Sequence, residues 1–295
     1  VKKIATDTHT GVSEVKTITK DTQKIVERVD EHGQRERSRQ NLESTIQWLS
    51  PSDYSLQQVD LVSKRTKNTG TWFLESDEFR AWRNGPGQTL LCRGIPGTGK
   101  TYISCAAIAH LRQEFVDEPD VGVAFIYLNY QPNQGQSARE VLACVLRQLI
   151  QKAGIIPQNV DDGLSKDREL NAQPSLGAIM TALQLMLNHL SQTFVVVDAL
   201  DECHSRDADE LKKLLTELVK LQQSQPFCLL ATSRDISSIE THLKPHSRLE
   251  IRAQSDDIIH YVNTRIPSLL ESDIEDLDEL QDIIRQKMLD ATDGV

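Results

Sequence analysis

Four short apolar runs and one alternating segment that fits a fifth strand recur along the chain, with longer stretches of three- and four-residue apolar spacing between them. They are Thr89-Leu90-Leu91-Cys92, Gly122 to Leu128, Phe194 to Val197, Phe227 to Ala231 and Arg248 to Arg252. The β-branched Phe194-Val195-Val196-Val197 has the look of a strand buried on both faces. Strands alternating with helical stretches predict an α/β domain built on a parallel sheet. Ahead of the first strand the pattern changes. Val15, Ile18, Ile25 and Val29 follow three-four spacing with Thr22 in the same seam, and no glycine or proline interrupts Val12 to Glu31. This predicts a long amphipathic helix, serving either as a solvated helix packed on its own domain or as an arm for self-association or a partner. About three heptads are too few to decide between them. Ser50-Pro51-Ser52-Asp53 ends the pattern.

The first strand runs directly into Gly94-Ile95-Pro96-Gly97-Thr98-Gly99-Lys100-Thr101, and a helix-compatible stretch follows from Tyr102. Strand, glycine-rich turn and helix are the setting in which this spacing binds phosphate. Glycines allow successive N–H groups to point at phosphate oxygens, and the helix start adds its positive dipole end. Gly94 through Tyr102 are therefore the candidate phosphate contacts. Lys100 is placed to reach the β- and γ-phosphates, and the Thr101 hydroxyl to ligate Mg²⁺.

The third strand ends in Asp198-Ala199-Leu200-Asp201-Glu202. A carboxylate at the carboxyl end of a buried strand sits where open α/β sheets bind ligands. Asp198 is the candidate Walker B acid for Mg²⁺, and Glu202 the candidate activator of the attacking water. Acids after a strand also cap helices, a reading that weakens beside a phosphate loop. The fourth strand ends in Thr232-Ser233-Arg234, where Arg234 is either a charge-stabilising sensor or an arginine on an exposed strand end. The Asn/Thr-Lys-x-Asp signature of guanine recognition does not follow Asp198. Its nearest echo, Ser165-Lys166-Asp167, lies upstream in a stretch read as a polar loop.

Composition narrows the class. The 295 residues suffice for one full domain with additional pieces, and the 38% hydrophobic and 26% charged fractions suit a soluble globular chain. No apolar stretch reaches membrane-spanning length. The five cysteines have no metal spacing and read as reduced, buried thiols, which points to a cytoplasmic protein. A net charge of −10 argues against a general nucleic-acid surface.

An extra strand between the phosphate loop and the Walker B strand, with a glutamate beside the acid, resembles the additional-strand catalytic-glutamate division of P-loop NTPases. GIPGTGKT, VVVDALDEC and LLATSRD together resemble the NACHT-type branch of the STAND signalling NTPases, in the fungal NOD-like receptors whose module is also called nephrocystin-like. The resemblance covers roughly 46–295 and includes the segment WLSPSDYSLQQVDLVSKRTKNTGTWFLESDEFRAW. It implies a three-layer fold with sheet order 5-1-4-3-2, Asp198 for Mg²⁺, Asp201 and Glu202 for hydrolysis, and Arg234 as sensor. It also implies that Thr69, Gly70 and Thr71 line the adenine pocket and that ADP and ATP, with ATP preferred over GTP, hold closed and open states. Self-association on activation and an innate-immune signalling role follow from the same likeness. Ala199 stands where many NACHT proteins carry glycine.

The expected division is a helical arm over 1–48, a linker and pre-loop segment over 49–86, the NTPase core over 87–253, and the start of a helical subdomain over 254–295. In the resembled family the chain continues beyond this point, so a fragment is expected. Trp72, Phe73, Phe79 and Trp82 read as a packing cluster, and Ser76 as a helix N-cap. Competing with the switch reading is a continuously cycling ATPase motor or remodeller. A scaffold with a degraded site is opposed by intact Lys100, Asp198 and Glu202. Sensed ligand and effector have no determinant in this chain.

Overall fold

The computed structural model describes residues 2–50, 52–128, 137–170, 172–204 and 208–269, with 283, 286 and 287. In chain order the elements are α1 (Lys2–Leu49), α2 (Ser55–Lys64), α3 (Thr71–Glu75), α4 (Asp77–Asn84), β1 (Thr89–Arg93) and α5 (Lys100–Glu114). Next come β2 (Val121–Tyr127), α6 (Ala138–Ala153), α7 (Gln158–Glu169), α8 (Leu176–His189), β3 (Gln192–Asp198) and α9 (Leu200–His204). The chain proceeds through α10 (Ala208–Ser224), β4 (Cys228–Ser233), α11 (Ser237–Leu243), β5 (Ser247–Glu250) and α12 (Ser255–Leu269). It divides into two compact units, Val1–Gln47 and Trp48–Val295.

The five strands form one sheet of order β2-β3-β4-β1-β5, every neighbouring pair parallel. This is the expected order. Every residue of β4 is buried, as are Thr193 to Asp198 of β3 and Thr89 to Cys92 of β1. Strands alternate their side chains between faces, so burial of consecutive residues requires cover on both sides. Helices supply it: α5 lies against β2, β3 and β4, while α6 lies against β2 and joins α8 and α10. The edge strand β5 is half exposed, with Arg248 and Glu250 outward, and its last apolar neighbour Ile251 is buried just past the strand end.

The stretch 49–86, expected as a linker and pre-loop segment with an aromatic packing cluster, holds three helices with a buried aromatic set. Tilted ring pairs link Phe73 to Phe79 at 5.0 Å, Phe79 to Trp82 at 5.4 Å, and Trp82 to Phe194 of β3 at 5.4 Å. Phe73, Phe79 and Trp82 are each at most 1% exposed. Burial of this kind contributes about 1.5–3 kcal/mol per large apolar side chain, enough to fix the segment onto the sheet. The expected N-cap also forms: the Phe79 N–H donates to Ser76 Oγ at 3.2 Å at the start of α4.

In the first unit the helix is longer than the 12–31 apolar pattern, because Gly33 and the polar residues after it continue it with i,i+4 pairs such as Arg39 to Glu43. Of the expected seam, the side chains of Val15, Ile18, Thr22 and Ile25 lie outside the described residues except for Val29, which is 64% exposed. Two other expectations change or cannot be followed. Ser165-Lys166-Asp167 sits within α7 rather than in a loop, and the acidic run from 271 to 282 lies outside the described residues.

Candidate functional site

Sheet register places the site. Arg93 of β1 pairs with Ser233, and Val197 of β3 pairs with Ala231, so β1, β3 and β4 end at one level. The glycine-rich turn, Asp198 and Arg234 leave from those three carboxyl ends.

The turn itself needs its glycines for two different reasons. Gly97 and Gly99 have φ of 86° and 88°, the left-handed region that a Cβ disfavours. Gly94 instead lacks room: a Cβ there would stand 2.5 Å from the Ile251 carbonyl oxygen. Helix α5 starts at Lys100 with no side-chain cap on its first turn. The N–H groups at this end, with the helix dipole, form an anion-binding end. Lys100 Nζ reaches back over the turn, donating to the carbonyl oxygens of Gly94 at 2.6 Å and Ile95 at 2.8 Å. Burial lowers its pKa, while the Asp201 and Asp198 carboxylates pull the other way. Thr98 Oγ1 donates to the Ile95 carbonyl at 3.0 Å and closes the turn.

Asp198 is 2% exposed and accepts from three hydroxyls. Thr101 Oγ1 donates to Oδ2 at 2.8 Å, Ser104 Oγ to Oδ1 at 2.7 Å, and Thr232 Oγ1 to Oδ1 at 2.6 Å. Burial pushes the Asp198 carboxyl up, and the three hydroxyls oppose the shift. Neutral hydroxyls do not cancel the charge of a buried carboxylate. A hard divalent cation would, and the Thr101 hydroxyl beside the Asp198 carboxylate is an oxygen donor set suited to Mg²⁺. The residues therefore fit the cation that the sequence implied. Ser104 and Thr232 escaped the sequence reading. Ser104 lies one helical turn after the loop, and only its four-residue offset from Lys100 on α5 hinted at a shared face.

The turn after Asp198 is strained. Ala199 has φ of 59°, a left-handed conformation that accounts for glycine at this position in the resembled family. Asp201, 6% exposed, is clamped to the end of β4: it accepts the Arg234 N–H at 3.1 Å and pairs with Arg234 Nε at 2.9 Å. Glu202 Oε1 lies 3.5 Å from Arg234 Nη2 and keeps more of its side chain accessible than Asp201 does. The guanidinium is about half exposed, so Arg234 joins the acids without being sealed by them.

Beside the loop opens a cavity of about 230 Å³. Its walls include Thr69, Gly70, Trp72, Gly97, Tyr102 and Asp257. Of the three residues expected at a base pocket, Thr69 and Gly70 line this cavity and Thr71 does not. Their backbone is already engaged. The Gly70 N–H donates to Asp257 Oδ2 at 2.9 Å, the Thr69 N–H to the Thr66 carbonyl at 3.2 Å, and the Thr69 carbonyl accepts from Arg65 Nη1 at 2.9 Å. Trp72 departs from the packing cluster by facing this cavity, although its ring still meets Phe73 edge-on at 6.1 Å.

All five cysteines are free and buried, and no group of three metal-binding side chains occurs among the described residues. No described helix is long and apolar enough to cross a membrane.

A family model described as Nephrocystin 3, N-terminal, matches residues 68–234, more than half of the chain and all of β1 to β4. No curated protein matches at a significant level. Among solved structures, the Aeropyrum pernix ORC1 protein in complex with DNA is similar at 17% identity over 66% of this chain and 49% of its own, with a TM-score of 0.44. A Walker-type ATPase of Pyrococcus abyssi is similar at 13% identity over 75% of this chain and 64% of its own, with a TM-score of 0.47. A replication initiator DnaA bound to AMPPCP and single-stranded DNA is similar at 13% identity over 74% and 58%, with a TM-score of 0.38. This chain thus spans 49% to 64% of the length of these three.

Proposed function

The chain belongs to the nephrocystin 3 N-terminal family, a NACHT-like nucleotide-binding module, and from that premise we propose that it is the nucleotide switch of a STAND-type signalling receptor, binding ADP and ATP with Mg²⁺ and hydrolysing ATP slowly. The observation that carries the reading is the 2.8 Å bond from Thr101 to Asp198, which joins the phosphate-loop helix to the end of β3. A phosphate-binding turn and a cation-holding carboxylate in direct contact are what Mg²⁺-nucleotide binding needs.

Each residue has a role that follows from its place. The N–H groups of the turn and of Lys100, Thr101 and Tyr102 hold the β-phosphate, and the Lys100 ammonium bridges the β- and γ-phosphates. Thr101 and Asp198 would hold the Mg²⁺, which would supply charge neutralisation at the phosphates when bound. Glu202 orients a water at the γ-phosphorus and takes its proton as the bond from γ-phosphorus to the ADP oxygen breaks. Arg234 stabilises the charge that develops on the γ-phosphoryl oxygens. Asp201, tied by backbone and side chain to Arg234, sets where that guanidinium points.

Other parts of the reading rest on separate observations. Val26 and Val29 of α1 are 52% and 64% exposed, which supports its use as an association arm. Five buried free thiols support a reducing, cytoplasmic setting. An innate-immune role with an unknown effector rests on the family likeness.

The test is to denature the purified chain and identify what it releases, then to follow Mg²⁺-dependent phosphate release. ADP or ATP from the wild type, none from Lys100→Ala, and turnover far below the ~10 s⁻¹ typical of enzymes are expected. Undiminished nucleotide affinity of Lys100→Ala by calorimetry would overturn the site. Fast steady turnover would replace the switch with a cycling motor.

A further inference from the structure

Asp257, on the first turn of α12, reaches across to α3 and holds two donors on one oxygen. Its Oδ2 accepts the Gly70 N–H at 2.9 Å and the Trp72 Nε1–H at 3.2 Å. Both lone pairs of Oδ2 are then in use. Oδ1 receives no hydrogen bond among the described residues, yet Asp257 lines the cavity that opens beside Gly97, Gly99 and Tyr102. The basic residues on the same wall are committed elsewhere: Lys64 to Asp60, Arg65 to the Thr69 carbonyl, and Arg252 to Glu250. The cavity therefore presents one carboxylate oxygen with acceptor capacity, among the largely apolar surfaces of Trp72, Tyr102 and Ile103.

A cavity of about 230 Å³ is smaller than the roughly 300–1,000 Å³ of clefts for drug-sized ligands, and suits one flat ring system. Continuous with a phosphate loop, that ring system is a nucleobase. We propose that Asp257 is the base-reading residue of this site, selecting purines with a 6-amino group over those with a 6-oxo group, an inference that rests on the nucleotide-binding reading above.

The chemistry follows from what each edge offers. A carboxylate oxygen only accepts, so it bonds an exocyclic amino group and repels a carbonyl oxygen. Guanine is read well by a carboxylate when both oxygens accept, from N1–H and the 2-amino group together. With Oδ2 held by Gly70 and Trp72, that two-point contact is not available, and the 6-amino edge of adenine needs one acceptor alone. The expected backbone reading by Thr69, Gly70 and Thr71 is thereby displaced: the Gly70 N–H orients the reader instead of reading.

The same geometry supplies the test. In Asp257→Asn the amide oxygen retains the Gly70 and Trp72 bonds, which turns the amide NH₂ toward the cavity. A donor there favours a 6-oxo purine. The full chain is titrated with ADP, IDP and GDP by calorimetry, with Trp fluorescence as a second readout of the cavity wall. The wild type should prefer ADP over IDP by about tenfold, and Asp257→Asn should lose or invert that preference, equivalent to about 1.4 kcal/mol or more. A purely structural role for Asp257 would weaken all three nucleotides alike, and an unchanged ADP-to-IDP ratio in Asp257→Asn overturns the inference. A wild type that binds none of the three defeats the phosphate-site reading itself, a result distinct from the loss of selectivity.

Discussion

The Thr232 hydroxyl donates to Asp198 Oδ1 at 2.6 Å and in the same position accepts the Ala199 N–H at 2.8 Å. One buried side chain at the end of β4 thus orients the candidate cation ligand and fixes the strained turn that follows it. Thr232→Val preserves shape while removing both bonds. A buried carboxylate and a part-buried N–H would each lose a partner, the first at a cost of about 1–3 kcal/mol. Urea unfolding should show a drop of at least about 1 kcal/mol, and Mg²⁺ affinity in the presence of nucleotide should fall. A stability change within about 0.5 kcal/mol would mean that water replaces the hydroxyl.

Ala199 is the residue to relieve. Its φ of 59° costs an L-residue about 1–2 kcal/mol, whereas glycine adds roughly 0.5–1 kcal/mol of unfolded-state entropy. The strain is the larger quantity, so Ala199→Gly should raise stability by about 0.5–1 kcal/mol. Thermal melting checks it. A lowered midpoint would place the tension elsewhere.

Asp201 and Glu202 are neighbours with different duties. Glu202→Gln should retain bound ATP and slow its hydrolysis by roughly 10²–10⁴-fold, the usual worth of a positioned base. Asp201→Asn should instead loosen Arg234, lowering turnover by less and stability by more, because Asp201 is the buried partner of that arginine. Single-turnover phosphate release and urea midpoints on both variants separate the two. Survival of turnover in Glu202→Gln, with its loss in Asp201→Asn, would exchange the roles.

His110 of α5 carries a pH signature. Burial, with help from the Arg83 guanidinium, holds its imidazole below the ordinary value of 6.5. Glu114 stands 3.5 Å away, but it is already ion-paired with Arg83, so its charge does little to favour the imidazolium. A depressed folded value means that this contribution to stability is full above pH 6.5 and is lost as pH falls through the folded value. Between pH 7.5 and 5.5 the wild type should therefore lose more of its urea midpoint than His110→Gln does. Equal losses would show that the imidazole titrates normally.

The phosphate loop was legible because its chemistry is local. Eight contiguous residues, three of them glycines with steric reasons to be there, define the turn without help from the rest of the chain. The interior strands were legible for a related reason: runs such as Phe194 to Val197 are apolar on both faces, which only an interior strand tolerates, whereas the order of the strands came from the family resemblance. Position along the chain then placed the candidate Walker B acid, Asp198, at the end of the second strand after the loop. What followed from tertiary structure alone is the choice of hydrogen-bond partner. Asp198 found Thr232 because parallel register brings β3 and β4 to one level, and Ser104 because α5 packs on β3, relations that sequence spacing does not encode. Gly70 and Asp257 lie 187 positions apart, and their bond exists only because the fold brings the first turn of α12 to the start of α3. Asp201 and Glu202 look equivalent as letters. Burial of Asp201 against Arg234, with greater access to Glu202, separates the clamp from the proposed base. Backbone conformation and strand identity are set by neighbours in sequence, whereas a buried polar atom must be satisfied by whatever donor the packed fold puts within about 3 Å.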